Sequence, residues 1–201
     1  MKQVDGIWWP EHDRHCHKVV PGQVKDLERA IPLCKDLQCA VQAGGNVGIW
    51  ASYLATQFDR VWTFEPDLEN FNCLKLNVTE SRVNAIHAGL GAHIGYAALE
   101  LASNEQNNVG AYQTCAGADF IVTTIDSLKL PVCDLIALDT EGTEPLILEG
   151  ARKTIEAHKP VLMIEDKGLS ERYGAPQGWT DAIDGYVVVD RVHRDVVLAP
   201  E

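Results

Sequence analysis

The sequence predicts an α/β fold in which a mostly parallel sheet carries helices on both faces and ends in an antiparallel hairpin. Short apolar runs bounded by turn residues alternate with segments of helical period, which is the pattern of right-handed β-α-β units. A glycine-rich turn follows the first apolar run, and two apolar runs separated by a short polar segment end the chain. These features together favour an open sheet that binds a ligand at one of its edges.

Five apolar runs are predicted to be buried strands, because they are short and bounded by turn residues. They occupy residues 39–43, 61–64, 83–87, 133–138 and 160–164. Helices are expected between them, where apolar residues recur every three to four positions. These helices follow Gly48, cover residues 68–78, and follow Pro145.

Two stretches depart from this alternation. Residues 89–124 contain strand-like pieces at 96–101 and 120–124 around a polar loop at 104–110, which we interpret as an inserted strand pair. Residues 186–189 and 195–198 predict the terminal hairpin, with residues 191–194 between the two strands.

The region before the first strand is expected to form an arm and a helix over residues 1–38, followed by one domain over residues 39–201. The helix is expected after Pro21. Adjacent side chains of an extended chain point to opposite sides, so Trp8 and Trp9 cannot both cover one apolar surface. We therefore expect residues 7–10 to fold over a bound ligand as a lid; an arm packed permanently on the sheet is the alternative.

The composition excludes several classes of protein. The 201 residues include 17 Lys and Arg against 29 Asp and Glu, a formal net charge of −12, which disfavours nucleic-acid and anionic-membrane binding. Neither a signal peptide nor a membrane span of roughly 20 apolar residues is recognisable, so a cytoplasmic location is expected. The six cysteines form no C-x-x-C pair, and most of them are expected to be small, reduced core residues. The His, Asp and Cys residues of 12–17 match no zinc spacing.

The glycine turn after the first strand is the first candidate binding site. Glycines let a ligand approach the backbone, and the N-terminus of the next helix offers unpaired N–H groups. The candidate residues are Gln42, Gly44, Gly45, Asn46 and Gly48. The same turn contains a loose A-x-G-x-x-G pattern, which a nicotinamide-binding fold can also show.

A carboxylate at the tip of the second strand strengthens this candidate site. Glu65 precedes Pro66, which disfavours a helical conformation at Glu65 and keeps its side chain at the strand end. A carboxylate in this position can accept both hydroxyl groups of a ribose. The turn, Glu65 and Pro66 therefore predict an adenosine-containing ligand.

Three carboxylates follow the fourth predicted strand, namely Asp139, Glu141 and Glu144. Ligands of open α/β sheets bind outside the carboxyl ends of the strands, and crowded like charges perturb pKa values in a way that suits proton transfer or metal binding. Glu144 has an alternative explanation, because a residue before Pro145 can simply begin a helix.

Several of these segments, in this order, resemble the FkbM family of S-adenosylmethionine-dependent methyltransferases. The segments are the Gly44 turn, residues 64–66, the helix that ends at Asn77, residues 138–144, residues 148–151 and residues 160–165. The resemblance covers roughly residues 39–166. It implies the seven-stranded, Rossmann-like class I methyltransferase fold, S-adenosylmethionine as cofactor, and O-methylation of a hydroxyl, often on a sugar or a polyketide. The family usually has Asp where Gln42 stands, so a negative charge is missing near the sulfonium end of the cofactor.

A hydroxyl acceptor must lose its proton, and four residues are candidates for this role: Asp139, Glu141, Glu165 and His193. We expect no bound metal, with magnesium held by Asp139 and its neighbours as the alternative. The expected partner is a small-molecule or glycan acceptor. An NAD-binding oxidoreductase and a catalytically silent cofactor-binding protein are the alternative functions.

Overall fold

The N-terminal region forms a two-stranded hairpin followed by a helix. The computed structural model describes residues 1–101 and 107–201, and its first elements are β1 (Lys2–Val4), β2 (Ile7–Trp9) and α1 (Cys16–Ala30). The helix begins before Pro21, contrary to the prediction, because the buried Asp13 carboxylate accepts hydrogen bonds from the first free backbone N–H groups, including those of Cys16 (2.9 Å) and His17 (3.1 Å). Pro21 therefore lies inside the helix.

The first half of the main sheet follows as alternating strands and helices. Its elements are β3 (Cys39–Ala43), α2 (Ile49–Gln57), β4 (Arg60–Phe64), α3 (Leu68–Asn77) and β5 (Val83–Ile86). The predicted elements at these positions are confirmed to within a residue or two. The start of α3 is fixed by Asp67, whose side chain accepts a hydrogen bond of 2.8 Å from the backbone N–H of Asn70.

An inserted three-stranded sheet comes next, made of β6 (Gly89–Leu90), β7 (Gly95–Leu101) and β8 (Tyr112–Thr123). It is larger than the predicted strand pair, because β8 begins at Tyr112 and pairs with β7 on both sides of a bulge between Ala97 and Ala98. The predicted polar loop at 104–110 lies partly outside the described residues.

The second half of the main sheet consists of β9 (Leu135–Leu138), α4 (Glu144–Glu149), α5 (Arg152–His158), β10 (Val161–Glu165), β11 (Tyr186–Val192) and β12 (Asp195–Pro200). The helix predicted after Pro145 is thus two helices, and they separate at Gly150. A Cβ atom at Gly150 would overlap the backbone oxygen of Gly91, so close contact with the insertion explains the glycine. The terminal hairpin is longer than predicted, and only His193 and Arg194 remain in its turn.

The seven main strands lie in the order β11-β12-β10-β9-β3-β4-β5. β12 runs antiparallel to both β10 and β11, whereas β10, β9, β3, β4 and β5 are mutually parallel. From β3 the chain adds β4 and β5 on one side of the sheet, and it then adds β9 and β10 on the other side of β3. The neighbouring strands β3 and β9 therefore flank the topological switch point, where their carboxyl ends lie side by side. The predicted sheet and its terminal hairpin are confirmed.

Two hydrophobic cores cover the two faces of this sheet. Alternate residues of one strand belong to different cores: Val41 and Ala43 pack on one face, and Ala40 packs on the other. All six cysteines are free thiols, as expected. Within residues 1–101 and 107–201, no helix has the length and apolar character needed to cross a membrane.

Candidate active site

A cavity of about 1450 Å³ opens at the carboxyl ends of β3, β4, β9 and β10. Helix α1, the inserted sheet and the turn of the terminal hairpin form its other walls. Pockets for one small ligand commonly enclose roughly 300–1,000 Å³. The cavity is therefore large enough for two ligands side by side.

The glycine turn forms one wall of this cavity. Gly44 has a φ of +81°, and a Cβ atom added there would overlap the backbone oxygen of Asp139 at the end of β9. A Cβ at Gly45 would lie 2.8 Å from Thr63 Oγ1. The space that a Cβ atom would need at Gly44 and at Gly45 is thus already occupied by residues of neighbouring strands, so only glycine lets the turn lie this close to the sheet. The backbone of the turn also lines the cavity.

Gln42 braces the same turn from inside β3. Its side chain is buried, Nε2 donates a hydrogen bond of 2.9 Å to the backbone oxygen of Gly44, and Oε1 accepts one of 2.6 Å from Thr63 Oγ1. A carboxylate could not donate to the Gly44 oxygen. The amide thus supplies a structural contact at the position where the family usually has Asp.

Glu65 lies on the cavity wall at the end of β4, with only 5% of its surface exposed. Its Oε2 accepts a hydrogen bond of 2.6 Å from the backbone N–H of Asn46, and Oε1 accepts one of 2.8 Å from that of Asp67. Burial raises the pKa of Glu65 to about 8, although these hydrogen bonds oppose the shift. The carboxyl group is therefore fixed between the glycine turn and α3.

Asn70 adds a polar group that the sequence analysis did not select. It lines the cavity from α3, and its Nδ2 donates a hydrogen bond of 2.8 Å to the backbone oxygen of Val109. Its Oδ1 is buried and has no hydrogen-bond partner among the described residues. Asn70 therefore offers a free hydrogen-bond acceptor near Glu65. The apolar periodicity that predicts α3 gives no sign of it.

Three of the predicted catalytic residues meet at the opposite side of the glycine turn. Asp139, Glu141 and Glu165 each place a carboxylate oxygen within 4.8 Å of the other two. Among them lies Lys167, whose Nζ is 2.6 Å from Glu165 Oε2, 2.7 Å from Glu141 Oε1 and 4.0 Å from Asp139 Oδ1. We refer to these four residues as the carboxylate cluster.

The charges of the carboxylate cluster are strongly coupled. Burial raises the pKa of Glu165 above its usual range, and the nearby charge of Asp139 raises that pKa further, whereas the ammonium group of Lys167 opposes the shift. Burial alone would lower the pKa of Lys167, but the three carboxylates outweigh this effect and raise it, so the ammonium group stays charged. Burial also raises the pKa of Glu141, and Lys167 opposes that shift.

Glu144 folds the loop before α4 and does not join the carboxylate cluster. Its Oε1 accepts hydrogen bonds from the backbone N–H of Thr140 (2.9 Å), from Thr140 Oγ1 (3.0 Å) and from the backbone N–H of Gly142 (3.2 Å). The alternative reading of Glu144 as a helix-start residue is thus the correct one. By shaping this loop, Glu144 also sets the position of Glu141.

His193 lines the cavity from the turn of the terminal hairpin. It occupies the turn between β11 and β12, its side chain is 83% exposed, and its Nδ1 is 4.0 Å from Asp26 Oδ1 of α1. Asp195, the first residue of β12, also lines the cavity and was not predicted. Burial raises the pKa of Asp195 to about 7, with a further contribution from the charge of Asp139.

The N-terminal hairpin does not act as the predicted lid. Residues 7–10 do not line the cavity; Trp9 is buried with Val47 and Cys73, and the backbone N–H of Trp8 donates to Asn77 Oδ1 at 2.8 Å. The cavity is covered instead by one side of α1 from His15 onward. Cys16 belongs to this cover, and its thiol donates to Asn108 Oδ1 at 3.1 Å.

Comparisons with known proteins agree with this architecture. The sequence model of the methyltransferase FkbM domain matches residues 42–184, whereas no curated protein matches the chain. Among solved structures, an FkbM methyltransferase from Methylobacillus flagellatus is similar at a TM-score of 0.55 and 21% identity, over 90% of this chain and 50% of that one. This chain therefore spans half the length of that protein.

Two further structures share the fold over most of their length. A precorrin-8w decarboxylase from Methanobacterium thermoautotrophicum has a TM-score of 0.55 and 14% identity, covering 98% of this chain and 97% of its own. A protein from Streptococcus mutans, described as a candidate methyltransferase and solved with S-adenosylhomocysteine, has a TM-score of 0.54 and 11% identity, covering 88% and 96%. Identities this low show the fold alone. Because the FkbM domain model covers residues 42–184, including the glycine turn, Glu65 and all four residues of the carboxylate cluster, the chain belongs to the FkbM family of S-adenosylmethionine-dependent methyltransferases.

Proposed function

We propose that this protein transfers a methyl group from S-adenosylmethionine to a hydroxyl oxygen of its acceptor, which is a sugar, another small molecule or a glycan. The observation that supports this most directly is the grouping of Asp139 and Glu165, which place carboxylate oxygens within 4.8 Å of each other in the cavity beside the glycine turn. O-methylation requires removal of the hydroxyl proton, and a paired carboxylate next to the cofactor position can accept it.

The residues of the cavity fit S-adenosylmethionine, which supplies the electrophilic methyl group when bound. The Glu65 carboxyl and the unpartnered Asn70 Oδ1 are acceptors suited to the hydroxyl and amino groups of an adenosine. The accessible backbone of the glycine turn suits the remainder of the cofactor. The proposed cofactor-binding residues are Gln42, Gly44, Gly45, Asn46, Gly48, Glu65 and Pro66, of which Gln42 acts by bracing the turn.

Asp139 is the proposed proton acceptor. Its side chain is 29% exposed and lines the cavity, so an acceptor hydroxyl can reach it, whereas Glu165 is only 6% exposed. Glu165 lies beside Asp139 in the carboxylate cluster, and Glu141 contributes through its contact with Lys167. His193 is a weaker candidate for the base, because its side chain is 83% exposed and its Nδ1 faces Asp26 of α1.

The alternatives from the sequence analysis receive less support. An NAD-binding oxidoreductase disagrees with the FkbM domain match. A silent cofactor-binding protein would not need a carboxylate cluster around a cavity with room for a second ligand.

The test is a methyl-transfer assay with S-adenosylmethionine and a panel of sugars, phenols, amines and thiols, in which S-adenosylhomocysteine is quantified and the product is identified by NMR. We expect transfer to oxygen, and we expect Asp139→Asn to abolish most of it. Asp119→Asn, an exposed change on β8, is the matched control. Transfer only to amines or thiols, or full activity of Asp139→Asn, would contradict the proposal.

A further inference from the structure

The carboxylate cluster has the oxygen arrangement of a binding site for a hard divalent cation, yet a side chain occupies it. Three carboxylate oxygens from Asp139, Glu141 and Glu165 lie within 4.8 Å of one another, and such oxygens are the ligands that magnesium and calcium prefer. The Lys167 ammonium lies 2.6 and 2.7 Å from two of them. A metal ion could enter only by displacing this ammonium group.

The contacts of Lys167 are protected from solvent. Its side chain is 20% exposed, and the Glu141 and Glu165 side chains are 15% and 6% exposed. An ammonium group has three N–H donors and can contact several oxygens at once. Removing one partner of a buried ion pair leaves the other charges uncompensated. Without Lys167, the three carboxylates would therefore either take up protons or bind another cation.

We propose that Lys167 is a positioning residue that takes the place of a divalent metal ion, holding Glu141 and Glu165 so that Asp139 accepts the acceptor's proton without a metal. The ammonium group supplies one positive charge at the centre of the cluster and fixes the geometry of two carboxylates by direct contact. The part of this proposal that concerns turnover rests on the proposed function. The part that concerns cation binding does not.

The first experiment measures cation binding without any turnover. Terbium luminescence and calorimetry with Mg²⁺, Ca²⁺ and Mn²⁺ compare the parent with Lys167→Met, which keeps most of the side-chain length and removes the charge. We expect no cation binding to the cluster in the parent and binding that is stronger by roughly 10- to 100-fold or more in Lys167→Met. Adding Glu141→Gln to Lys167→Met should abolish the new binding, which assigns it to these carboxylates.

Circular dichroism and thermal unfolding check that each variant is folded, and Lys167→Gln replaces Lys167→Met if the latter does not fold. A folded variant without Lys167 that binds cations no better than the parent would overturn the proposal. Binding of a divalent ion by the parent at the cluster would overturn it as well.

The second experiment follows methyl transfer. The parent should keep its turnover in excess chelator, Lys167→Met should lose roughly 10- to 100-fold, and Mn²⁺ or Mg²⁺ should restore part of the loss. A merely structural role for Lys167 would not produce recovery by a metal ion. Loss of parent activity in chelator refutes the proposal, whereas failure to find any acceptor refutes the proposed function and leaves the cation-binding comparison decisive.

Discussion

Replacing Gly44 with Ala should destabilise the protein strongly, because two independent penalties act at this position. The backbone of Gly44 has a φ of +81°, which L residues rarely adopt. The new Cβ atom would overlap the backbone oxygen of Asp139 and lie 2.9 Å from its carbonyl carbon. Both contacts are with backbone, so no side-chain rotation can relieve them.

The expected loss follows from these two penalties. A left-handed conformation costs an L residue about 1–2 kcal/mol, and overpacking in a well-packed region costs about 1–3 kcal/mol. The free energy of unfolding should therefore fall by roughly 2–5 kcal/mol. Gly6→Ala is the matched control, because Gly6 has a φ of +82° with nothing within 4 Å of an added Cβ. That variant should lose only about 1–2 kcal/mol.

Urea unfolding followed by circular dichroism measures both variants against the parent. The difference between the two losses isolates the contact with Asp139 from the backbone strain. Calorimetry with S-adenosylhomocysteine should also show weaker binding for Gly44→Ala and unchanged binding for Gly6→Ala. Equal losses of stability in the two variants would refute the argument that β9 fills the space beside the turn.

The remaining predictions concern the cofactor side and the base. Glu65→Gln should weaken S-adenosylhomocysteine binding by roughly 10- to 100-fold in calorimetry at a pH above the raised pKa of Glu65, where its carboxyl group is charged, since a hydrogen bond to a charged group contributes about 1.5–3 kcal/mol; Glu69→Gln is its control, and an affinity within twofold of the parent would remove Glu65 from the site. Because burial raises the pKa of Glu65 to about 8, the folded protein keeps a proton that the unfolded chain loses above about pH 4.3, and the free energy of unfolding should decline as the pH rises through this window. Urea unfolding at several pH values should show a smaller decline in Glu65→Gln, and identical slopes would argue against a buried neutral Glu65. Asp139→Asn should lower kcat by at least about 100-fold with little change in cofactor affinity, measured by turnover and calorimetry; equal effects on both would mean that Asp139 positions the cofactor. Gln42→Glu should lower stability by about 1 kcal/mol in urea unfolding, because the donor to the Gly44 oxygen is lost, and no change would mean that this hydrogen bond contributes nothing.

The central strands β3, β9 and β10 could be predicted because they are buried on both faces and therefore form continuous apolar runs in the sequence. The observed β3 matches the predicted bounds, and Glu65 and Asp139 could be selected because each follows such a run. The first part of β8 could not be found in the same way, because its exposed and half-exposed residues give no apolar run. Its pairing with β7 is a tertiary contact that local patterns do not encode.

The missed residues of the site share a different cause. Lys167 lies 2.7 Å from Glu141 only because β9 and β10 are neighbours in the sheet, and nothing in the spacing of the two residues along the chain indicates this contact. The early start of α1 depended on Asp13, whose buried side chain supplies hydrogen bonds that outweigh the unfavourable Pro21. The local sequence of a segment indicates its secondary structure better than it indicates which distant residues the segment contacts.

Cys16 places a thiol on the wall of the cavity that is proposed to hold the cofactor. A thiolate is the nucleophilic form of cysteine and would compete for an activated methyl group, and Cys16 lines the cavity in which that group is expected. Burial raises the pKa of Cys16 to about 12, with a contribution from the negative charge of Asp13. Its sulfur therefore remains a neutral thiol at physiological pH. The same carboxylate that begins helix α1 thus also helps to keep this thiol neutral inside the cavity.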